Sequence, residues 1–357
     1  MRIIITGGGT LGHIYPALAI AERLKQETEI LFIGTTKGIE SDVIQKQGFK
    51  FKGLDVEGWT VKNKIKFFIK LIKTFLVGIR YIIEFKPDIV LGMGGYASVP
   101  VVLGAVLFKI KTVIHEQNFI PGKATRLLAK FVDKIAISFA DSNRFLPAKK
   151  TVLTGNPVRL QIGQINRQEA LKRFEISGDK FTLLVFGGSK GAHKINEVMK
   201  QTLNLLPDDK IQIIWATGEE DYQFIKETKS KVKIVVEKFF YDLPVAYQVA
   251  DLVICRAGAT TIAEIIACNL PAILIPYPYA TDNHQEYNAR PLVEKGTAIM
   301  IKDRELSSEN IGKIIIELIE NRDKLKIMAE NYQPLKTADA SQNVVNIIYS
   351  LNRVSRN

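Results

Sequence analysis

Apolar residues in this chain gather into short unbroken runs. In the first half they occur at Ile3–Ile5, EILFIG (29–34), DIVLG (88–92), KTVIH (111–115) and KIAIS (134–138). In the second half they occur at FTLLVF, IQIIWAT, VKIVVEKF, DLVIC and AILIPYP. Each run is too short for a helix and stops at small or polar residues, so each predicts a buried strand. Between several of them the apolar positions fall three or four apart, as in Leu18, Ala21 and Leu24 or Ile262, Ile265 and Ile266, which predicts amphipathic helices. Strands alternating with helices predict an α/β chain whose parallel sheets are covered on both faces.

The pattern restarts midway. The stretch 181–199 repeats the grammar of residues 3–20: apolar strand, glycine turn, helix. Pairing Gly8-Gly9-Thr10-Leu11-Gly12-His13 with Gly187-Gly188-Ser189-Lys190-Gly191-Ala192 aligns every glycine and the hydroxyl residue. The reading is two Rossmann-like domains, 1–156 and 157–338, with residues 339–357 forming a last helix expected to pack back on the first. The first helix is expected to carry Pro16 in its opening turn. Ligands of such sheets lie outside the carboxyl ends of the strands, which puts the chemistry in a cleft lined by the glycine turns.

Composition narrows the choices. A length of 357 residues exceeds what one core usually holds. With 46% hydrophobic and 24% charged residues the chain reads as globular. Cys255 and Cys268 form no metal-spaced pair, so neither a disulfide nor a zinc role is expected and a reducing compartment is. Ile3–Ile5 leads straight into glycines, unlike a signal peptide, and no apolar run is long enough to span a bilayer. The net charge of +12 points to an anionic substrate or membrane, since no nucleic-acid module is present.

Candidate chemistry lies at the strand ends. Gly7, Gly9 and Gly12 match a dinucleotide fingerprint, but the second strand ends FIGTT and the next carboxylate is Glu40, so that reading is disfavoured. His13 stands where the second turn has Ala192, and a turn that builds with alanine needs no histidine to fold; a base or fixed donor is the expectation. The turn Gly187–Gly191 is expected to hold phosphate or sugar. In Leu252–Ala289 a strand meets a small-residue turn and a helix, an arrangement that cradles anions. Thr261 and Glu264 have capping-box spacing, Glu264 also suits two ribose hydroxyls, and Asn269 with Pro271 ends the helix. IHEQN (114–118) and GMGGYAS (92–98) are further strand-end clusters, the latter suited to a second anionic ligand. With no D-x-D pair and no ligand-spaced cluster, neither a metal nor another cofactor is expected, and helix N-termini with Arg159 would steady the leaving charge.

Lys62–Ile83 contains no acidic residue. Lys66, Lys70, Lys73 and Arg80 gather on one side of the helix, and Ile65, Phe68, Ile72, Phe75, Leu76 and Ile83 lie in a broad apolar arc opposite. That arc exceeds the roughly 100° stripe of an ordinary core-facing helix, so the segment reads as lying on an anionic membrane surface.

GGTLGHIYPA, LGMGGYASVP, HEQNFIPG, GNPVR, FGGSKGA, CRAGATTIAE and NHQEYNA, in this order and spacing, make the chain resemble the MurG family, the N-acetylglucosamine transferases of peptidoglycan synthesis. The resemblance implies a GT-B fold, an inverting transfer from UDP-N-acetylglucosamine to the 4-hydroxyl of an undecaprenyl-pyrophosphoryl muramyl-peptide, and a peripheral place on the cytoplasmic side of the membrane. It also implies roles for residues. Ser189 and Arg159 approach the diphosphate, and Ala259, Thr260, Thr261, Ile262, Ala263 and Glu264 wrap the nucleotide, with Glu264 on the ribose and Phe240 beside uracil. Gln285 and Asn118 contact the sugar. Thr10, Leu11 and Gly12 close over the donor, His13 is the base, and Gly94, Gly95 and Tyr96 meet the acceptor. A UDP-sugar epimerase or another UDP-sugar transferase of the same fold, and a non-catalytic UDP-sugar sensor, are the rival readings.

Overall fold

The computed structural model describes residues 1–36, 40–56, 64–188 and 191–354, with backbone only at 64–71 and 354. It divides into two compact units, Met1–Arg159 with Thr337–Asn357, and Leu160–Lys336.

In the first unit the strands are β1 (Arg2–Thr6), β2 (Glu29–Thr35), β3 (Lys50–Leu54), β4 (Ile89–Gly92), β5 (Lys111–Glu116), β6 (Lys134–Ile137) and β7 (Thr151–Leu153). They form one parallel sheet ordered β3-β2-β1-β4-β5-β6-β7. Successive residues of a strand face opposite sides, and both sides are filled. Ile3 and Ile5 join one core and Ile4 the other. Val344, Val345, Ile348 and Leu351 of the helix Ala340–Val354 pack into the first of these cores, beside Ile14 and Leu18.

The second unit repeats the order. Its strands are β8 (Phe181–Phe186), β9 (Ile211–Ala216), β10 (Lys233–Glu237), β11 (Leu252–Cys255), β12 (Ala272–Leu274) and β13 (Ala298–Met300), arranged β10-β9-β8-β11-β12-β13 and again parallel. These are two Rossmann-like sheets of GT-B type. The repeat extends to an aspartate before the fourth strand of each sheet. Asp88 accepts the amide of Arg2 at 2.6 Å, and Asp251 accepts that of Thr182 at 2.7 Å. Each carboxylate thereby satisfies a backbone donor at the start of the neighbouring central strand.

Three strands escape the hydrophobic pattern: β3, β7 and β13. All are sheet edges, where one flank meets solvent and the run is short or mixed. The helix Leu11–Leu24 begins early enough that Pro16 lies in its second turn rather than its first. The missing proline N–H falls opposite the carbonyl of Gly12.

Among the described residues no helix is long and apolar enough to cross a membrane. The helix Lys64–Phe85 buries a narrow stripe through Thr74, Gly78 and Ile82. A Cβ on Gly78 would lie 3.6 Å from Val101, and one on Gly104 would lie 3.0 Å from Ile82, so paired glycines bring this helix close to Ser98–Leu107.

Candidate functional site

In the first unit the sequence-flagged residues collect at the carboxyl ends of β1, β4 and β5. The turn Gly7–Gly9 lies directly against the turn after β4. A Cβ on Gly95, at φ +75°, would stand 2.3 Å from the carbonyl oxygen of Gly8, so the two turns meet only because side chains are missing. Gly94, at φ +94°, leaves its room to His13: a Cβ there would be 3.0 Å from His13 Cε1. Tyr96 is exposed beside these glycines.

His13 is the third residue of its helix, and its Nδ1 lies 2.9 Å from Gln117 Oε1. Gln117 Nε2 is 2.9 Å from the Met93 carbonyl and 3.1 Å from His115 Nδ1. His115 Nε2 is 3.0 Å from the Gly155 carbonyl. His115 has no exposed surface, and burial pushes its imidazole down to about 4, so it is neutral near pH 7. Gln117 was not among the residues singled out from sequence, although it sits inside IHEQN. Its neighbour Glu116 is buried and accepts the amides of Asn118 and Gly122, each at 2.9 Å, and so shapes the loop that carries Asn118.

Glu40 gives the disfavoured dinucleotide reading its physical reason. Its buried carboxylate accepts the Gly9 amide at 3.1 Å and the Thr35 hydroxyl. A negative group already occupies the donor through which such a turn would greet a pyrophosphate. Thr10 precedes the helix in extended conformation, without a capping hydrogen bond from its side chain. Leu11 is buried, leaving only its backbone for a ligand. Arg159 stacks over Tyr15, 4.4 Å from the ring centre.

The second unit departs from the first after Gly188. Gly9 and Gly188 share positive φ, at +87° and +97°. Gly12 then lies within a helix, whereas Gly191 stays at φ +77° and Ala192 precedes the helix as its N-cap. The sequence pairing of His13 with Ala192 therefore compares a residue inside a helix with one before it, and does not carry the case for His13. The hydrogen bonds around His13 are the stronger observation. Ser189 and Lys190 lie outside the described residues. His193, mostly exposed, pairs with Asp221 at 2.8 Å, and that hydrogen bond raises its pKa.

The helix Ala259–Cys268 starts from Gly258. Thr261 is therefore its third residue, and no capping box forms with Glu264. Glu264 is 2% exposed and accepts the Tyr247 hydroxyl at 3.0 Å. Asn269 closes the helix in left-handed conformation, φ +51°. Ala259 and Ile262 are buried, so they offer a ligand backbone only, while Thr260, Thr261 and Ala263 are half-buried. Arg256, absent from the sequence-based set, donates to the carbonyls of Ile275 and Pro276, each at 3.2 Å, and to Asp303 at 2.5 Å. It thus ties the ends of β11 and β12 to the segment after β13. Phe240 stacks edge-on against Phe174 at 5.5 Å. Gln285 Oε1 accepts the Tyr277 amide at 2.9 Å. Just before it, Asp282 and Asn283 both hold positive φ, at +52° and +54°, the kind of local strain that clusters at ligand sites. Among the described residues no group of three His, Cys, Asp or Glu side chains is placed to hold a metal ion.

Two family models match the chain: the glycosyltransferase family 28 N-terminal domain over residues 3–137 and its C-terminal domain over 182–344. The UDP-N-acetylglucosamine–N-acetylmuramyl-(pentapeptide) pyrophosphoryl-undecaprenol N-acetylglucosamine transferase of Desulforamulus reducens is 43% identical, with 98% of each chain covered. That of Bacillus subtilis is 39% identical over 99% of this chain and 100% of its own. The chain belongs to the MurG family. A solved MurG from Acinetobacter baumannii shares the fold at TM-score 0.78 and 28% identity, covering 98% of this chain and 99% of its own. A Neisseria meningitidis UDP-GlcNAc 2-epimerase reaches TM-score 0.71 at 17% identity, covering 98% and 100%, which is a likeness of fold alone. Membership of the MurG family makes the chain a glycosyltransferase, with the rival epimerase reduced to an architectural relative.

Proposed function

We propose that the chain transfers N-acetylglucosamine from UDP-N-acetylglucosamine to the 4-hydroxyl of the muramyl sugar of undecaprenyl-pyrophosphoryl-N-acetylmuramoyl-pentapeptide, in peptidoglycan synthesis. Identity along almost the whole chain with enzymes named for that transfer carries the reading. His13 takes the proton as the hydroxyl oxygen attacks the anomeric carbon. The bond to UDP breaks, its electron pair leaves on the diphosphate, and configuration inverts. Asn118 and Gln285 are assigned to the sugar, Glu264 to the ribose, Phe240 to the uracil, and Ser189 with Arg159 to the diphosphate, with Thr10, Leu11 and Gly12 closing over the donor. Backbone amides opening the helix at Ala259 would hold negative charge without a metal. Gly94, Gly95 and Tyr96 are assigned to the acceptor.

The protein works on a lipid-linked acceptor at the cytoplasmic face of the membrane, resting there without spanning it. Supporting this, Ile72, Leu76, Val77 and Ile83 point outward, and Leu107, Phe108, Leu127 and Phe131 in the same unit are also exposed. Arg80 is paired with Glu84 at 2.6 Å, which leaves Lys73 as the stronger contributor to anionic lipid attraction among the described side chains of this helix.

UDP release measured with and without a prenyl-diphosphoryl muramyl-peptide tests the transfer. Release that requires the acceptor supports it. Conversion of UDP-N-acetylglucosamine in the absence of acceptor supports epimerisation instead.

A further inference from the structure

The hydrogen-bond chain His13–Gln117–His115 is anchored by groups that only accept. The Met93 carbonyl, 2.9 Å from Gln117 Nε2, fixes which end of that amide is nitrogen. Gln117 Oε1 therefore faces His13 Nδ1 at 2.9 Å, and an amide oxygen there requires that Nδ1 carry a hydrogen. At the other end, the Gly155 carbonyl requires a hydrogen on His115 Nε2 at 3.0 Å. His115 Nδ1 then accepts the remaining Gln117 N–H at 3.1 Å. Each donor meets an acceptor, and only one arrangement of hydrogens satisfies all four contacts. Gln117 is 2% exposed and His115 is fully buried, so water does not compete for the contacts among Gln117, His115, Met93 and Gly155, while His13 itself is half-buried.

We propose that Gln117 is a positioning residue for the transfer reaction: it holds His13 in the Nδ1–H tautomer, so that Nε2 carries the lone pair that receives the acceptor's proton. In a neutral imidazole the hydrogen bond made by one nitrogen decides the role of the other. Gln117 thus does for His13 what a carboxylate does in a serine-protease triad, but with a neutral amide backed by a neutral imidazole. The proton moves from the acceptor hydroxyl to Nε2 as the new glycosidic bond forms and the bond to UDP breaks. The inference rests on His13 being the base.

The test is nitrogen-15 spectroscopy of histidine-labelled protein, which holds four histidines to assign, at a pH where His13 is neutral. The expected spectrum has His13 Nδ1 protonated and Nε2 bare. A wild-type His13 protonated at Nε2 instead overturns the proposal without any variant. Gln117→Met keeps the length and removes the acceptor; His13 should lose the Nδ1–H preference. Turnover should fall about ten- to a hundredfold, less than the ~10²–10⁴ of removing a base, with the KM for UDP-N-acetylglucosamine unchanged. An unaltered His13 tautomer in this variant also overturns the proposal. A changed tautomer with unaltered kcat counts against His13 as the base and leaves the hydrogen-bond assignment standing. Gln117→Glu should move the acid limb of the kcat profile to higher pH, because a carboxylate at Nδ1 favours the imidazolium.

Discussion

The Tyr247 hydroxyl donates to the carboxylate of Glu264 across 3.0 Å, joining two helices of the second unit beneath the end of β11. A carboxylate 2% exposed and already holding one donor is set in place before any nucleotide arrives. If it also takes the ribose hydroxyls, Glu264→Ala should weaken UDP-N-acetylglucosamine binding by about 10–100-fold, the worth of hydrogen bonds to a charged group. The sharper check is a cycle of ligands. The 2′-deoxyribose donor should bind the natural protein more weakly than the ribose donor, and that preference should vanish in Glu264→Ala. A preference that persists would place the ribose elsewhere.

The membrane reading predicts that replacing Ile72, Leu76 and Ile83 together by serine lowers partitioning onto anionic vesicles at least tenfold. Each outward side chain would contribute about 1 kcal/mol or more if it were buried in the interface. Turnover on a water-soluble acceptor analogue should be nearly unchanged. Equal binding of variant and natural protein to the vesicles would remove the reading.

His115 ties stability to pH. Its folded value, about 4, lies below the ordinary histidine value of 6.5 because burial disfavours the charged ring. Above pH 6.5 both states are neutral and nothing is lost. As pH falls from there towards 4, the unfolded chain takes up a proton that the folded one refuses, so stability drops, by on the order of 3 kcal/mol in total. His115→Gln should flatten that part of the curve of urea midpoint against pH, while lowering the midpoint near neutrality because the Gly155 and Gln117 contacts are altered.

Gly94→Ala should reduce turnover and stability together. The added methyl meets His13 Cε1 at 3.0 Å and sits at φ +94°, a conformation that costs a non-glycine residue about 1–2 kcal/mol. Gly9→Ala is the control, because a Cβ there meets nothing within 4 Å although φ is +87°. It should cost stability with less effect on kcat.

The architecture was legible because parallel strands buried on both faces must be apolar throughout, so β1, β4, β8 and β11 announce themselves. The edge strands β3, β7 and β13 did not, since half of their surroundings is water. Glycine turns were legible as turns, but not in their exits. Identical-looking motifs lead into a helix at Leu11 in one unit and at His193 in the other, a difference set by backbone angles that sequence pattern does not encode. Spacing mistook Glu264 for a capping partner because the helix start, three residues earlier than assumed, fixes which donors are left. Gln117 and Arg256 were passed over for a common reason. Their partners, Met93, Gly155, Ile275 and Pro276, are backbone carbonyls distant in sequence, and no motif records a carbonyl.

The central claim is that His13 takes the proton in transfer, and single-turnover kinetics of His13→Ala test it most directly. The chemical step should slow by ~10²–10⁴, with melting temperature and UDP affinity close to those of the natural protein. A variant that transfers sugar at the natural rate, or that loses activity only in step with its fold, would contradict it.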